Sequence, residues 1–465
     1  MLRLVMLLSL VGLLLAPHRT ADAQEAIRVL DTHVAADFPL SITFHLEAQG
    51  PIAISKAEVR FQVEKQSCAQ AESSGFAEFA PATDISTQWT LDMLKGGSFP
   101  PGAVVRYHWR LQDESGEVVE TSEERYQVVD NRYQWQTIAR DILTLSWYMG
   151  DQAFGNALMD AAQEALDRLE ASTGARPLKP VRLFVYGSTE DLQGSLVFPQ
   201  EWTGGVSFTE FNIVAIGIPP GSLTWGQRAM AHELTHVVVG QVTFNCFRDI
   251  PTWLSEGLAT YNEDASGEPS LAYASALRNA IRAGRLLSVR SLGGGFPTAP
   301  EEALLAYGES FSLVQYLTER YGAEKQGMLL AMFRSGTTAD AALQQVYGFD
   351  QRSLEEEWRR YIGAPPMAEG LPGSTPTPVT SAIPTFEPYA LSTPTPFAES
   401  PGLEATPTPT ETEKPAPEHQ PTGGGCSGGL PLSGNAGNQE LGAAVLPLGL
   451  LALAGVALGI RRRNQ

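Results

Sequence analysis

Cysteine is scarce in this chain: Cys68, Cys246 and Cys426 are the three cysteines among 465 residues. This content excludes a small fold held together by several disulfide bonds, and an odd number leaves at least one thiol without a partner in the chain. A bond between Cys68 and Cys246 would join two domains, and two free buried cysteines are an equally good interpretation.

Basic residues are also few. The chain has 32 lysines and arginines against 52 aspartates and glutamates, and it has no Lys/Arg-rich run before Arg461–Arg463. A surface that follows phosphates must be basic, so a formal charge of −20 excludes a nucleic acid as the partner. The hydrophobic share of 43% excludes a collagen, a mucin or a fully disordered chain. With the two ends set aside, the length fits two folded domains.

The N-terminus has the features of a targeting segment. Residues 1–23 combine Arg3, the apolar run Leu4–Ala16 and the small-residue site Ala21–Ala23. This pattern predicts a secretory signal peptide that is cleaved near Gln24, with a membrane anchor as the alternative.

The C-terminus predicts a membrane anchor. Residues Leu441–Ile460 carry no charge and are long enough to cross a hydrocarbon core of about 30 Å. Because basic residues follow at once, we expect a single transmembrane helix at 441–460, a cytoplasmic tail at 461–465 and the rest of the chain outside the cell. The glycine-rich stretch 423–429 resembles bacterial sorting tails that a dedicated protease cleaves, so processing and surface anchoring are a second interpretation.

Residues 365–440 predict a disordered stalk. They contain 16 of the 32 prolines and repeated Thr-Pro steps. Such a segment buries too little apolar area to offset its ordering entropy, and its prolines keep it extended. We expect a Pro/Thr-rich linker between the folded part and the membrane.

Two folded domains are predicted between the ends. From 24 to 130 apolar residues alternate with polar ones, as in Val105, Tyr107, Trp109 and Leu111, and turn residues such as those at 49–51 separate the runs. This period of two predicts an all-β, immunoglobulin-like sandwich.

The second domain, 131–364, mixes short strands with helices, which is typical of an α+β fold. The predicted elements are a helix at Phe154–Leu169 closed by Gly174, strands at Val181–Tyr186 and Ile213–Ile218, and final helices at Glu301–Tyr321, Glu324–Arg334, Ala339–Tyr347 and Ser353–Tyr361.

The most informative motif lies in this domain. The run His232-Glu233-Leu234-Thr235-His236 is followed, after nineteen residues, by Glu256 in Trp-Leu-Ser-Glu-Gly. Two histidines four positions apart lie on one face of a helix and can bind one ion. With one carboxylate they form a catalytic Zn²⁺ set that leaves the fourth position for water, and Glu233 beside them is suited to act as a general base. The alternatives are a solvated helix face, a zinc-binding protein without activity and, for Glu256, a salt-bridged carboxylate.

These residues resemble the gluzincin metallopeptidases, and about half of the chain resembles their compact, peptidase MA-like members. The resemblance implies zinc, peptide hydrolysis, ligands at His232, His236 and Glu256, and Glu233 as the base. It also implies a tyrosine or histidine that stabilises the oxyanion. Tyr307 is the candidate, with a buried core tyrosine as the alternative and Tyr261 as the second choice.

The chain departs from the gluzincin pattern at two points. Thr260 stands where many gluzincins have an acidic residue that orients a histidine, and Asp264 lies one turn further. The Gly-x-Met-Glu-Asn element with which some aminopeptidases bind a free amino terminus is missing. The resemblance further predicts that Asn212–Ile218 forms the edge strand that pairs with substrate, and an ordinary core strand is the alternative. Ser222 or Thr224 can cap the helix that follows.

Together these patterns predict a surface zinc peptidase that acts on a peptide or protein substrate and is tethered to the membrane by its C-terminal helix. An adhesion or binding protein with a structural or inactive zinc site is the alternative.

Overall fold

A computed structural model describes residues 26–69, 71–197, 203–297, 299–367 and 444–447. The chain divides into two compact units, Met1–Met367 with Leu441–Gln465 and Ala368–Glu440, and the second unit lies outside the described residues.

The N-terminal region is an antiparallel sheet of seven strands. Along β5 every second residue is buried, as the alternating pattern predicts. The strands are β1 (Arg28–Asp37), β2 (Ser41–Val63), β3 (Ser73–Phe76), β4 (Ala82–Asp92), β5 (Val104–Asp113), β6 (Val118–Glu120) and β7 (Glu124–Gln127), with the helical turn α1 (Met93–Gly96) after β4.

Strand β2 runs through both halves of this sheet. Its first half pairs with β1 and β4, and its second half pairs with β3 and β5. The register shifts between Gln49 and Ile54, where Pro51 has no N–H to donate to the ladder, so the predicted turn at 49–51 is an irregularity inside one strand. The rings of Phe44 and Phe61, one from each half, stack with centroids 5.8 Å apart. The two halves therefore enclose one core, as in a sandwich, but share a strand.

The following region contains a second, mixed sheet of six strands in the order β13-β11-β12-β10-β9-β8. Strands β9, β10 and β12 are parallel to one another, and β11 runs antiparallel to β12. The strands are β8 (Gln136–Arg140), β9 (Leu143–Trp147), β10 (Val181–Tyr186), β11 (Thr203–Phe208), β12 (Ile213–Gly217) and β13 (Ala444–Pro447).

The prediction that Asn212–Ile218 forms the edge strand is wrong. This segment is β12, and it lies inside the sheet between β10 and β11. Strand β11 lies outside it, and Gly204 and Gly205 give its sequence a low strand propensity, so no strand was predicted there.

The helices pack around the second sheet as an α+β arrangement. Asp151 caps the first long helix by accepting from the Phe154 amide, and Gly174 ends it in the left-handed conformation, with φ of 70°. The helices are α2 (Gln152–Thr173), α3 (Thr189–Gln193), α4 (Leu223–Thr243), α5 (Thr252–Asn262), α6 (Leu271–Ala283), α7 (Pro300–Arg334), α8 (Ala339–Tyr347) and α9 (Gln351–Tyr361). The two helices predicted between 301 and 334 are confirmed, because α7 is broken at Gly322, whose φ of 82° is not helical.

The two sheets share hydrophobic contacts. Phe211, just before β12, and Ile213, its first residue, are buried in the same cluster as Trp109 and the rest of the N-terminal core. A disulfide bond between Cys68 and Cys246 also joins the regions, across 178 residues of sequence and with 5.6 Å between the Cα atoms. Of the two interpretations of these cysteines, the bridge is therefore confirmed.

Most of the predicted terminal segments lie outside the described residues: the signal peptide at 1–23, nearly all of the stalk at 365–440, and the tail at 461–465. Of the predicted membrane helix at 441–460, only Ala444–Pro447 is described, and it is a strand paired with β11. None of the helices in the described ranges combines the length and apolar character needed to cross a membrane. The membrane helix therefore stays a prediction that the described residues do not support.

A buried charged network connects α7, α9 and the loop before α7. Glu309 and Glu355 each accept a hydrogen bond from a loop amide, that of Leu287 at 3.0 Å and that of Val289 at 2.9 Å. Arg359 pairs with Glu355 at 2.8 Å. Burial raises the pKa of Glu309 to about 8, although the Leu287 amide and the charge of Arg359 oppose the shift.

We expect this carboxyl to make stability depend on pH. Between the ordinary value of 4.5 and about 8, the folded state binds a proton that the unfolded state has released. The free energy of unfolding therefore falls as pH rises through this window, by up to about 1.4 kcal/mol per pH unit. Urea unfolding at pH 5, 6, 7 and 8 should show this slope, and Glu309→Gln should flatten it. Glu356→Gln, on the exposed side of α9, is the control, and equal slopes in both variants would contradict the assignment.

Candidate active site

Helix α4 carries the first part of the site. Its residues from Ala229 to Val239 are all buried, as expected of a helix at the centre of a domain. His232, Glu233 and His236 are 1%, 0% and 3% exposed. The helix begins after Ser222, which occupies the N-cap position as predicted. Its side chain makes no capping hydrogen bond, so that part of the prediction is wrong.

Three ligand atoms from two helices converge. The Nε2 atoms of His232 and His236 are 3.1 Å apart. Oε2 of Glu256, from α5, lies 3.4 Å from Nε2 of His232 and 3.5 Å from Nε2 of His236. Within the described ranges these residues are the one group of three that could hold a metal ion. The structure thus brings together the three residues that the sequence predicts as ligands.

The other ring nitrogen of each histidine is held by a different side chain. Nδ1 of His232 lies 2.9 Å from Oε1 of Glu263, and Nδ1 of His236 lies 3.0 Å from Oγ of Ser255. A carboxylate only accepts, so Nδ1 of His232 donates, and in the neutral ring the lone pair is on Nε2, facing the other two ligand atoms. Arg228 holds Glu263 in turn, at 3.1 Å.

Sequence reasoning missed Glu263. The sequence left open which group orients the imidazole, since Thr260 stands at the usual acidic position. In the structure Thr260 donates to the carbonyl of Glu256, and Asp264 lies 3.9 Å from Arg228. Glu263 is seven residues after Glu256, two helical turns along the same face. That spacing is the signal that could have identified it.

The charges of the site shift two pKa values strongly. Burial lowers the pKa of His232, but contacts with Glu256 and Glu263 outweigh it and raise the value to about 10. Burial raises the pKa of Glu256, but the charge of His236 and contacts with both imidazoles bring the value down to about 2. The Glu256 carboxylate therefore stays ionised, and its negative charge favours a cation between the three ligand atoms.

The donor set fits zinc. Two imidazoles and one carboxylate are the ligands of a known class of catalytic zinc site, and zinc bonds of about 2.0–2.2 Å in a tetrahedron place donor atoms about 3.3–3.5 Å apart. The three distances measured here, 3.1, 3.4 and 3.5 Å, agree with that spacing. Oε2 of Glu256 is buried without a hydrogen-bond partner among the described residues, so an ion would satisfy it.

Glu233 lies beside this cluster and against β11. Both of its carboxylate oxygens are buried, and neither has a hydrogen-bond partner in the described part of the chain. Burial raises its pKa, against the charges of His232 and His236. Gly205 of β11 makes room for it, because a Cβ there would lie 2.8 Å from Oε1 of Glu233. Glu233 is thus an unpartnered carboxylate between the ligand cluster and a strand.

Tyr307 also lies near the cluster. It is in α7, two turns inside the helix, and its ring centroid is 6.4 Å from that of His232. Burial raises its pKa well above the ordinary value, so the hydroxyl keeps its proton. The second choice, Tyr261, is half-buried at the end of α5, where its ring packs on Phe311 at 5.7 Å.

A test of Glu263 follows from its contact with His232. Glu263→Ala should lower the affinity for zinc by about 10- to 100-fold, since loss of an outer hydrogen bond to a ligand costs this much. Competition with a chromogenic chelator measures the affinity directly. Asp264→Ala is the matched control, because Asp264 contacts the same arginine but neither histidine. Unchanged affinity in the Glu263 variant would show that the imidazole needs no carboxylate to orient it.

The comparison with protein families agrees with this geometry. Residues 161–364 match the model of the Peptidase MA superfamily. This part, less than half of the chain, is similar to that superfamily. The gluzincin-like resemblance inferred from the motif is therefore confirmed. No curated protein matches the chain.

Several solved structures are similar to the chain at low identity. OgpA from Akkermansia muciniphila is 11% identical over 23% of this chain and 29% of its own, with a TM-score of 0.18. An aminopeptidase N family protein from Idiomarina loihiensis is 11% identical over 70% of this chain and 74% of its own, with a TM-score of 0.34. Aminopeptidase A from Legionella pneumophila is 11% identical over 72% and 50%, with a TM-score of 0.30. The chain spans less than a third of the length of OgpA.

Proposed function

We propose that this chain is a zinc-dependent peptidase that uses Glu233 as its general base. The observation that carries the proposal is the convergence of His232, His236 and Glu256 beside a buried carboxylate without a partner. When bound, zinc lowers the pKa of water and polarises a carbonyl group.

The residues of the chain then have separate roles. The His232 and His236 imidazoles and the Glu256 carboxylate hold the ion. An oxygen of Glu233 takes a proton from water as the water attacks the peptide carbonyl, and returns it to the nitrogen of the leaving amine. The Tyr307 hydroxyl, which keeps its proton, donates to the oxygen that becomes negative.

Strand β11 is the segment best placed to hold an extended substrate. It lies against Glu233, and its outer edge pairs antiparallel with Ala444–Pro447, whose place a substrate strand would take. Backbone hydrogen bonds of this kind are how sheet edges bind peptides. The role that the sequence assigned to Asn212–Ile218 is therefore proposed for β11.

A binding protein with a structural zinc site is the competing interpretation. Structural sites close the coordination shell with four protein ligands. The described ranges supply three, which favours a site that keeps one position for water.

The location is proposed from the terminal sequences alone. The signal peptide at 1–23 and the apolar segment at 441–460 support a chain that is exported and held at the outer face of the cell membrane.

The decisive experiment is digestion of a peptide library by the full chain, read by mass spectrometry. We expect cleavage that stops when a chelator removes the metal and returns when one equivalent of zinc is added. A chain that binds one zinc and cleaves no peptide would support the binding-protein interpretation instead.

A further inference from the structure

A second tyrosine, Tyr273, packs on the ring of Tyr307. The two rings are stacked, with centroids 5.6 Å apart and an interplanar angle of 23°. Tyr273 is 4% exposed and Tyr307 is 5% exposed. Tyr273 is in the first turn of α6, where its amide donates to the side chain of the N-cap residue Ser270. The backbone of Tyr273 is thus held in place by the capped start of α6.

Ring contacts, rather than hydrogen bonds, hold Tyr307. Tyr273 covers one face of its ring, Phe296 meets it edge-on at 5.1 Å, and His232 lies on a third side at 6.4 Å. Among the described residues, burial and nearby charges, with no hydrogen bond, act on the hydroxyls of both tyrosines. The direction of the Tyr307 hydroxyl therefore depends on the packing of its ring.

The stack also depends on a close approach of two helices. A Cβ at Gly308 would lie 2.7 Å from the carbonyl oxygen of Tyr273, so the backbone of α6 rests directly on α7 at this residue. Glycine is required here for that contact. Gly308, the residue next to Tyr307, therefore allows α6 to pack beside the site.

We propose that Tyr273 is a positioning residue, which aims the Tyr307 hydroxyl at the reacting carbonyl by stacking on its ring. The inference rests on the proposed function and extends it to α6. It separates the roles of the two tyrosines: Tyr307 acts through its hydroxyl, and Tyr273 acts through its ring.

The test is a double-mutant cycle in the zinc-loaded full chain. Tyr307→Phe should lower kcat by about 10²- to 10³-fold, as the loss of an oxyanion donor does. Tyr273→Leu should lower kcat by about 10- to 100-fold with little change in KM, and Tyr273→Phe, which keeps the ring, should retain the wild-type kcat. In the Tyr307→Phe background, Tyr273→Leu should cost almost nothing further, because the hydroxyl that it aims is gone.

A matched control distinguishes a general loss of packing from the loss of Tyr307 positioning. Tyr347 also stacks on a neighbouring ring, that of Phe349 at 5.4 Å, but it lies at the end of α8. Tyr347→Leu should lower the melting temperature as much as Tyr273→Leu and leave kcat unchanged. Gly308→Ala, which forces α6 away from α7, should reproduce the kcat loss of Tyr273→Leu with zinc still bound.

Two outcomes would overturn the inference and leave the zinc-dependent peptidase with Glu233 as its base in place. One is a Tyr307→Phe variant that is as active as the wild type. The other is a Tyr273→Leu effect of equal size in both backgrounds. Failure of the proposed function itself would appear as a wild-type chain that cleaves no peptide with zinc bound.

Discussion

Replacement of Glu233 by glutamine should abolish peptide hydrolysis while the chain keeps its zinc. The amide has nearly the same shape as the carboxylate, so the space against Gly205 stays filled, but it cannot accept a proton from water. General-base catalysis typically contributes about 10²- to 10⁴-fold, and we expect kcat to fall by at least that range. The measurement is cleavage of a library-derived peptide, together with zinc content by atomic absorption.

Glu309→Gln is the matched control for this variant. Glu309, like Glu233, is 0% exposed, and burial raises the pKa of both carboxyls, but Glu309 contacts the loop before α7 instead of the ligand cluster. The control should keep full activity. If Glu233→Gln were as active as this control, another group would have to move the proton.

Removal of Glu256, the third ligand, should cause the largest loss of zinc affinity. Glu256→Ala leaves two imidazoles without the carboxylate that lies 3.4 and 3.5 Å from them. The remaining pair is too weak a site to hold zinc against a competing chelator, so the loss of affinity should exceed the 10- to 100-fold expected for an outer residue. We expect metal content near zero after dialysis and no hydrolysis.

Glu319→Ala is the control for this variant and should keep both zinc and activity, because Glu319 is an exposed residue of α7 that contacts Tyr361. Zinc retained by Glu256→Ala at the affinity of the wild type would show that a different group binds the ion.

Local periodicity predicted most of the elements. The strand Val181–Tyr186 and the helix Ala339–Tyr347 have the bounds that the sequence indicates. The pair His232 and His236 was predictable for the same reason, since positions four apart on a helix share a face.

The features that depend on tertiary contacts were not predictable. Strand β11 has two glycines and becomes a strand because β12 offers it a ladder. Glu263 faces His232 only because α5 lies alongside α4. Tyr273 was not identified, because the sequence does not show that α6 packs on α7. In each case the information lies in the packing of elements, which periodicity does not encode.

The joined cores of the two sheets have a consequence for motion. Many enzymes built from two regions open and close around a hinge between them. Here Phe211 and Ile213 are buried among the residues of the N-terminal sheet. The Cys68–Cys246 bond links the loop between β2 and β3 to the segment after α4. A rotation of one region against the other would have to expose these side chains to water. We therefore expect the candidate site to admit its ligands through movements of single side chains and short loops, over a scaffold that stays rigid.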